Sequence, residues 1–240
     1  MFSLFYNSIH TVDPSIHHVE LVTGSSYSHT PSNQFRASGV GRATVRRLST
    51  GRYRVRIPNE TFLPNLGVVM TSATGTNPRW CNPSYWTGNA FGGTDVFVEC
   101  HRRGGAMADS TFSLIITDNT MLGRPEIPGG SAWSDQAGRG AGHVDTNLSG
   151  DYTFNSAGNT NTHANQGLTG SAEVTFPGVF PPEFAVVAKL VVAYGPDRCA
   201  HQGLHGLVGT DVTLAVACRT ANNVPIDSSF DVMLELLIGD

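Results

Sequence analysis

Apolar and polar residues alternate with a period of two in several stretches of the chain. Tyr53, Val55 and Ile57 alternate with Arg52, Arg54 and Arg56. Phe112, Leu114 and Ile116 recur at the same spacing, as do Phe230, Val232 and Leu234. A period of two puts every second side chain on one face of a strand, so these segments predict strands with one buried face. Val186 to Tyr194 is a nearly continuous apolar run, the pattern of a central strand covered on both faces. The predicted strands in the first half lie near residues 19–22, 33–37, 42–48, 52–57, 67–74, 79–82, 95–101 and 111–117. In the second half they lie near 131–135, 151–155, 161–165, 171–176, 184–194, 198–201, 211–218 and 229–237. Turn residues separate them, among them Ser49-Thr50-Gly51, Pro64-Asn65-Leu66-Gly67, Gly92-Gly93 and Pro128-Gly129-Gly130.

The pattern occurs twice. Cys81 and Cys100 are 19 residues apart, as are Cys199 and Cys218, and the second pair follows the first by 118. Phe35, Gly51 and Pro58 recur as Phe154, Gly170 and Pro177 at a shift of 119. Asp109-Ser110-Thr111-Phe112 recurs as Asp227-Ser228-Ser229-Phe230 at 118. Ordered agreement at a nearly constant shift is the mark of internal duplication. The expected fold is therefore all-β: two tandem β-sandwich modules, immunoglobulin-like or jelly-roll-like, over residues 10–117 and 131–240. Residues 118–130, with Pro125 and Pro128, read as a linker. Phe2-Ser3-Leu4 repeats Phe112-Ser113-Leu114, so residues 1–9 read as a strand from or for a neighbouring repeat.

Composition narrows the function classes. Only 14% of the 240 residues are charged, against about 25% in an ordinary domain. With 27 Gly and 13 Pro, long helices and coiled coils are excluded. The run from Phe184 to Tyr194 is too short to cross a bilayer and contains Lys189, the single lysine beside 14 arginines. A net charge of −4 gives no global basic field for nucleic acid. That charge is uneven: residues 1–120 carry ten Arg against seven acids, and residues 121–240 four Arg and one Lys against twelve. Met1-Phe2-Ser3-Leu4-Phe5 lacks the basic start and long apolar stretch of an export signal.

Each cysteine pair brackets a predicted strand-to-strand return, and antiparallel pairing brings such positions opposite one another. One disulfide per copy, Cys81 with Cys100 and Cys199 with Cys218, is the expected framework and points to an oxidising compartment. The other reading is a pair of buried thiols serving as small core residues. Two thiols per copy and no CxxC argue against zinc.

Candidate binding chemistry concentrates in a predicted loop, 79–91. Trp80, Tyr85, Trp86 and Phe91 supply aromatic faces, and Asn82 and Asn89 supply amides, the combination a sugar ring needs. Core packing of the tryptophans is the competing explanation. Arg46, Arg52, Arg54 and Arg56 form a basic ribbon with no acid between them in sequence, suited to an anion, to an acidic partner or to solvent. Asp145, Asn147, Ser149 and Asp151 resemble the first half of a calcium loop, but Ser156 stands where a bidentate Glu belongs. His201 and His205 have metal-ligand spacing in a glycine-flanked segment with no acid near them in sequence. No catalytic motif such as GxSxG, HExxH or a P-loop is present.

The phrases Asp151-Tyr152-Thr153-Phe154-Asn155-Ser156-Ala157-Gly158, 170–178 and Val191-Val192-Ala193-Tyr194-Gly195 resemble a repeat of uncharacterised actinobacterial secreted or surface proteins. The resemblance covers most of 130–240 and, more loosely, 20–117. It implies a β-rich module, an extracellular or cell-surface location and no transferable catalytic residue. The leading expectation is a non-catalytic binding or adhesion module, with a glycan as ligand through the 79–91 segment and no cofactor, calcium aside. A structural repeat of a surface or virion-type assembly, self-associating through its basic and acidic halves, is the alternative. A hydrolase with a site between the modules is the third.

Overall fold

Tyr53, Val55 and Ile57 are buried while Arg52 lies exposed and Arg54 and Arg56 half-buried, so the alternation in sequence becomes the two faces of a strand. The computed structural model describes residues 16–21, 33–36, 43–58, 68–74, 78–89, 92–117, 129–134, 144–145, 153–165, 168–180 and 186–237. Among these, strands are the only regular elements. In the first half they are β1 (Ile16–Leu21), β2 (Asn33–Arg36), β3 (Thr44–Ser49), β4 (Arg52–Ile57), β5 (Val68–Thr74), β6 (Arg79–Asn89), β7 (Gly93–Arg102) and β8 (Thr111–Thr117). The second half holds β9 (Gly129–Ser134), β10 (Val144–Asp145), β11 (Thr153–Asn155), β12 (Thr162–Asn165), β13 (Ser171–Phe176), β14 (Val186–Ala193), β15 (Arg198–Val208), β16 (Asp211–Arg219) and β17 (Phe230–Leu237). The expected N-terminal strand 1–9 and most of the expected linker lie outside the described residues.

Among the described residues the strands form four antiparallel sheets. Their orders are β2-β1-β8-β5 and β3-β4-β7-β6 in the first half, then β11-β9-β17-β14 and β10-β12-β13-β16-β15 in the second. Set side by side, the second pair of orders matches the first strand for strand, with β10 added at an edge. The first pair of sheets closes on a core of Val45, Tyr53, Val55, Ile57, Val69, Val96, Val98, Phe112, Leu114 and Ile116. The second pair closes on Val174, Phe176, Val212, Leu214, Val216, Phe230, Val232 and Leu234.

A third core joins the halves. Val68, Met70 and Ile115 from β5 and β8 meet Val192 and Met233 from β14 and β17, with Phe154 alongside. Neighbours in sequence therefore serve different cores: Leu114 faces the first and Ile115 the third, Val232 the second and Met233 the third. This explains the apolar run at 186–194, with one correction. β14 ends its sheet instead of lying inside it. Its sheet is the layer covered on both sides: Val191 packs on the second core and Val192 in the third.

Both cysteine pairs are disulfides, joining Cys81 to Cys100 and Cys199 to Cys218. Each links residues directly opposite in a ladder, with Cα atoms 4.0 and 4.1 Å apart. Around each, the backbone is built alike. The Cys100 amide donates to Gly51 O and the Ala108 amide to Cys100 O; Cys218 donates to Gly170 O and Ile226 to Cys218 O. Asp109 accepts from the Gly51 amide at 2.9 Å, and Asp227 from the Gly170 amide at 2.7 Å. In the next turn, Gly105 at φ 82° corresponds to Asn223 at φ 69°, the one non-glycine residue with positive φ among the described residues. Asn tolerates that region better than most side chains.

β6 and β15 each run eleven residues, well past the predicted 79–82 and 198–201. Pro83, Gly88, Gly203 and Gly206 read as turn residues in sequence. Both strands are sheet edges with register shifts, at Pro83/Tyr85 and at His201/Gly203 and Leu204/Gly206. Edge strands and bulges tolerate Pro and Gly, because no second ladder needs their donors or side chains.

Candidate functional site

The aromatic segment read as a loop is thus a strand, and its side chains divide between two surroundings. Asn82 is buried, and its Nδ2 donates to Gly195 O at 2.7 Å and Asp197 O at 2.6 Å. Trp80 Nε1 donates to Pro196 O at 3.1 Å. The Trp80 ring stacks on His101 at 5.8 Å, and the Arg198 guanidinium lies over it at 5.0 Å. Trp86 packs partly buried against the first core, 6.3 Å from Tyr194. Two of the six residues proposed for sugar binding, Trp80 and Asn82, therefore hold the turn 194–197 of the second half, and Trp86 is packed against the first core. Gly195 enters that turn at φ 67°.

Tyr85 is the exception. It is 52% exposed and stacks on Phe97 of β7, with ring centroids 4.2 Å apart and planes 15° from parallel. Cross-strand register extends this pair into a row: Tyr85 opposite Phe97, Phe97 opposite Arg54, Arg54 opposite Arg46. The side chain of Asn89, and Phe91 altogether, lie outside the described residues.

The arginine ribbon gains acids from the neighbouring strand. Asp95 accepts from Arg56 Nε at 2.9 Å and lies 3.7 Å from Arg54, and Glu99 pairs with Arg52 at 3.1 Å. Sequence distance hid this, since Asp95 and Glu99 are some forty residues from their partners and meet them through the β4–β7 ladder. Four arginines face two carboxylates, so this outer face keeps a cationic excess at Arg46, which is exposed.

Arg47, on the same strand as Arg46, is committed elsewhere. Its Nε and Nη2 both donate to Asp109 at 2.8 Å, and Tyr53 Oη adds a further bond at 2.9 Å. The Arg47 guanidinium, helped by the Gly51 amide and Tyr53, holds the Asp109 carboxyl down to about 2. Stability from this network is present above the usual carboxylate range and fades as pH falls toward 2. Burial pushes the Tyr53 hydroxyl up to about 12.

Asp231 was invisible as a site in sequence. It is fully buried on the third-core side of β17, opposite Trp133 and Val192 in the ladders. Tyr194 Oη donates to it at 2.7 Å, and the Val69 amide of β5 also reaches it. Burial outweighs both donors and pushes its carboxyl up to about 8. The signal available in sequence was an acid one residue into the apolar strand 230–237.

Most of the metal candidates lie outside the described residues. Asp145 lies on β10 with its side chain undescribed; Asn147, Ser149 and Asp151 lie outside the described residues, as does the His205 side chain. His201 is exposed on β15. Among the described residues, no three His, Cys, Asp or Glu side chains group to hold a metal ion, and no helix is long and apolar enough to cross a membrane. No family model matches the sequence, and no curated protein or solved structure matches it.

Proposed function

We propose that this protein is a non-catalytic binding protein of an extracytoplasmic surface, built by duplication of one β-sandwich, and that its ligand is an acidic glycan. The observation that carries the reading is the exposed Tyr85–Phe97 stack in one cross-strand row with Arg54 and Arg46. An aromatic face takes the C–H side of a sugar ring, and guanidinium groups beside it take a carboxylate or sulfate through paired donors. Within the row Asp95 lies 3.7 Å from Arg54 and anchors it, which leaves Arg46 as the exposed cation. The two disulfides support an oxidising compartment, in keeping with a secreted or surface protein of the kind the repeat resembles. The matching strand orders and the paired glycine–cysteine–aspartate clasps support the duplication.

Isothermal titration with polygalacturonate as probe tests the ligand class, with dextran as the neutral control. Binding is expected for the former alone, weakening with added salt. Tyr85→Ala is expected to lower affinity about tenfold, the equivalent of ~1.4 kcal/mol, with the folded state unchanged because the ring is half exposed. Equal binding of both polymers, or an unchanged Tyr85→Ala titration, would overturn the reading.

A further inference from the structure

The two halves carry the same ladder positions with different contents, and in one place the difference leaves a hollow. On the outer face of the first half, Arg52 of β4 stands opposite Glu99 of β7, and the two form an ion pair. The matching positions in the second half are Ser171 of β13 and Ala217 of β16, again directly opposite. Nothing long crosses between them. A groove of about 430 Å³ opens there, lined by Leu168, Ser171, Gln202, Ala217, Arg219 and Pro225 among others. That is within the size range of small-molecule sites.

The lining has a polarity. Leu168, 72% exposed, Ala217 and Pro225 offer apolar surface. Arg219 and Gln202, both exposed, offer donors, and no acidic side chain is in the lining. Arg219 spends Nη1 on Asn223 O at 3.1 Å, out of five N–H groups in a planar fork. Arg198, its ladder partner, is held over Trp80, so Arg219 is the cation that faces the groove. A lone guanidinium above a small apolar floor, within a half of net negative charge, selects an anion with a compact apolar body.

We propose that this groove is a second binding site, for a small organic carboxylate whose charged end lies on Arg219 and Gln202 and whose apolar part lies against Ala217, Pro225 and Leu168. The site lies in the half opposite the Tyr85 face, so either can fail without the other.

The test is a titration of the ¹⁵N-labelled 240-residue chain with N-acetyl-leucine, with N-acetyl-leucinamide as the uncharged control. Saturable amide shifts at 168–171 and 217–219 are expected with the acid, and about tenfold weaker response with the amide. Arg219→Gln is expected to bring the acid down to the level of the amide. The double variant Ser171→Arg with Ala217→Glu rebuilds the ion pair of the first half inside the groove, and is expected to abolish the shifts. Absence of saturation by about 10 mM, equal response to acid and amide, or an undiminished response in Arg219→Gln would overturn the proposal. If the double variant does not fold, Arg219→Gln decides alone.

Discussion

Replacing Asp231 by Asn is expected to stabilise the protein at neutral and alkaline pH and to flatten its pH profile. In the native state the Asp231 carboxyl is fully buried between the halves, and burial raises it to about 8. In the unfolded chain it titrates near ~3.9. The folded protein therefore binds the proton more tightly across that window. Its contribution is fully present below about pH 4, and is lost as pH rises toward 8. The slope is at most about 1.4 kcal/mol per pH unit, and water entry on opening reduces it. Asn keeps the shape, and its side-chain oxygen takes the place of Oδ2 as acceptor for the Tyr194 hydroxyl, with no charge to bury. Urea denaturation from pH 4.5 to 8.5 reads the effect: the native protein should weaken with rising pH and the variant should not. Parallel profiles would show that Asp231 is solvated in the native state. Asp109 works in the opposite direction at acid pH, where its lowered carboxyl loses its partners, so the native protein is expected to be most stable in mildly acidic solution.

Gly51→Ala and Gly170→Ala are each expected to cost about 2–4 kcal/mol, combining left-handed backbone strain with a collision that cannot relax. Gly51 has φ 71°, and a Cβ there would sit 2.6 Å from Cys100 O and 2.8 Å from the Ala108 amide. Gly170 has φ 75°, and its Cβ would sit 2.5 Å from Cys218 O and 2.8 Å from the Ile226 amide. The obstructing atoms are backbone, fixed by hydrogen bonds on both sides and by the disulfide. Gly104 is the internal control: φ is 87°, yet nothing lies within 4 Å of its Cβ position. Gly104→Ala should cost only about 1 kcal/mol, the backbone share alone. Chemical denaturation of the three variants distinguishes the accounts. If all three cost the same, the clasp around each disulfide is looser than the geometry says.

Strands such as β4 and β13 are legible in the sequence because each has one buried face, which writes a period of two. The disulfides are legible because each cysteine pair brackets one strand-to-strand return at the same spacing of 19 residues. What stayed hidden depends on residues far apart in the chain. Pro83 and Gly203 look like strand ends, and only an edge position with a bulge makes them strand interior. Trp80 and Asn82 look like ligand-binding residues, because the carbonyls they meet, at 195–197, are more than a hundred positions away. Phe97 carries no signal as a site residue until β6 and β7 are paired and Tyr85 falls on it. The neutralising of the arginines by Asp95 and Glu99 is likewise a property of the ladder.

β6 can give Trp80 and Asn82 to the second half and Tyr85 to the open face only if the halves act as one body, joined through the third core. Native-state hydrogen exchange, resolved along β8 and β17, tests this most directly, since these strands lie inside the two middle layers. The expected result is a shared opening, with the slowest amides of both strands protected to within roughly tenfold of each other. Exchange of the β17 amides through an opening that leaves β8 protected, or the reverse, would mean that the halves come apart independently and would contradict it.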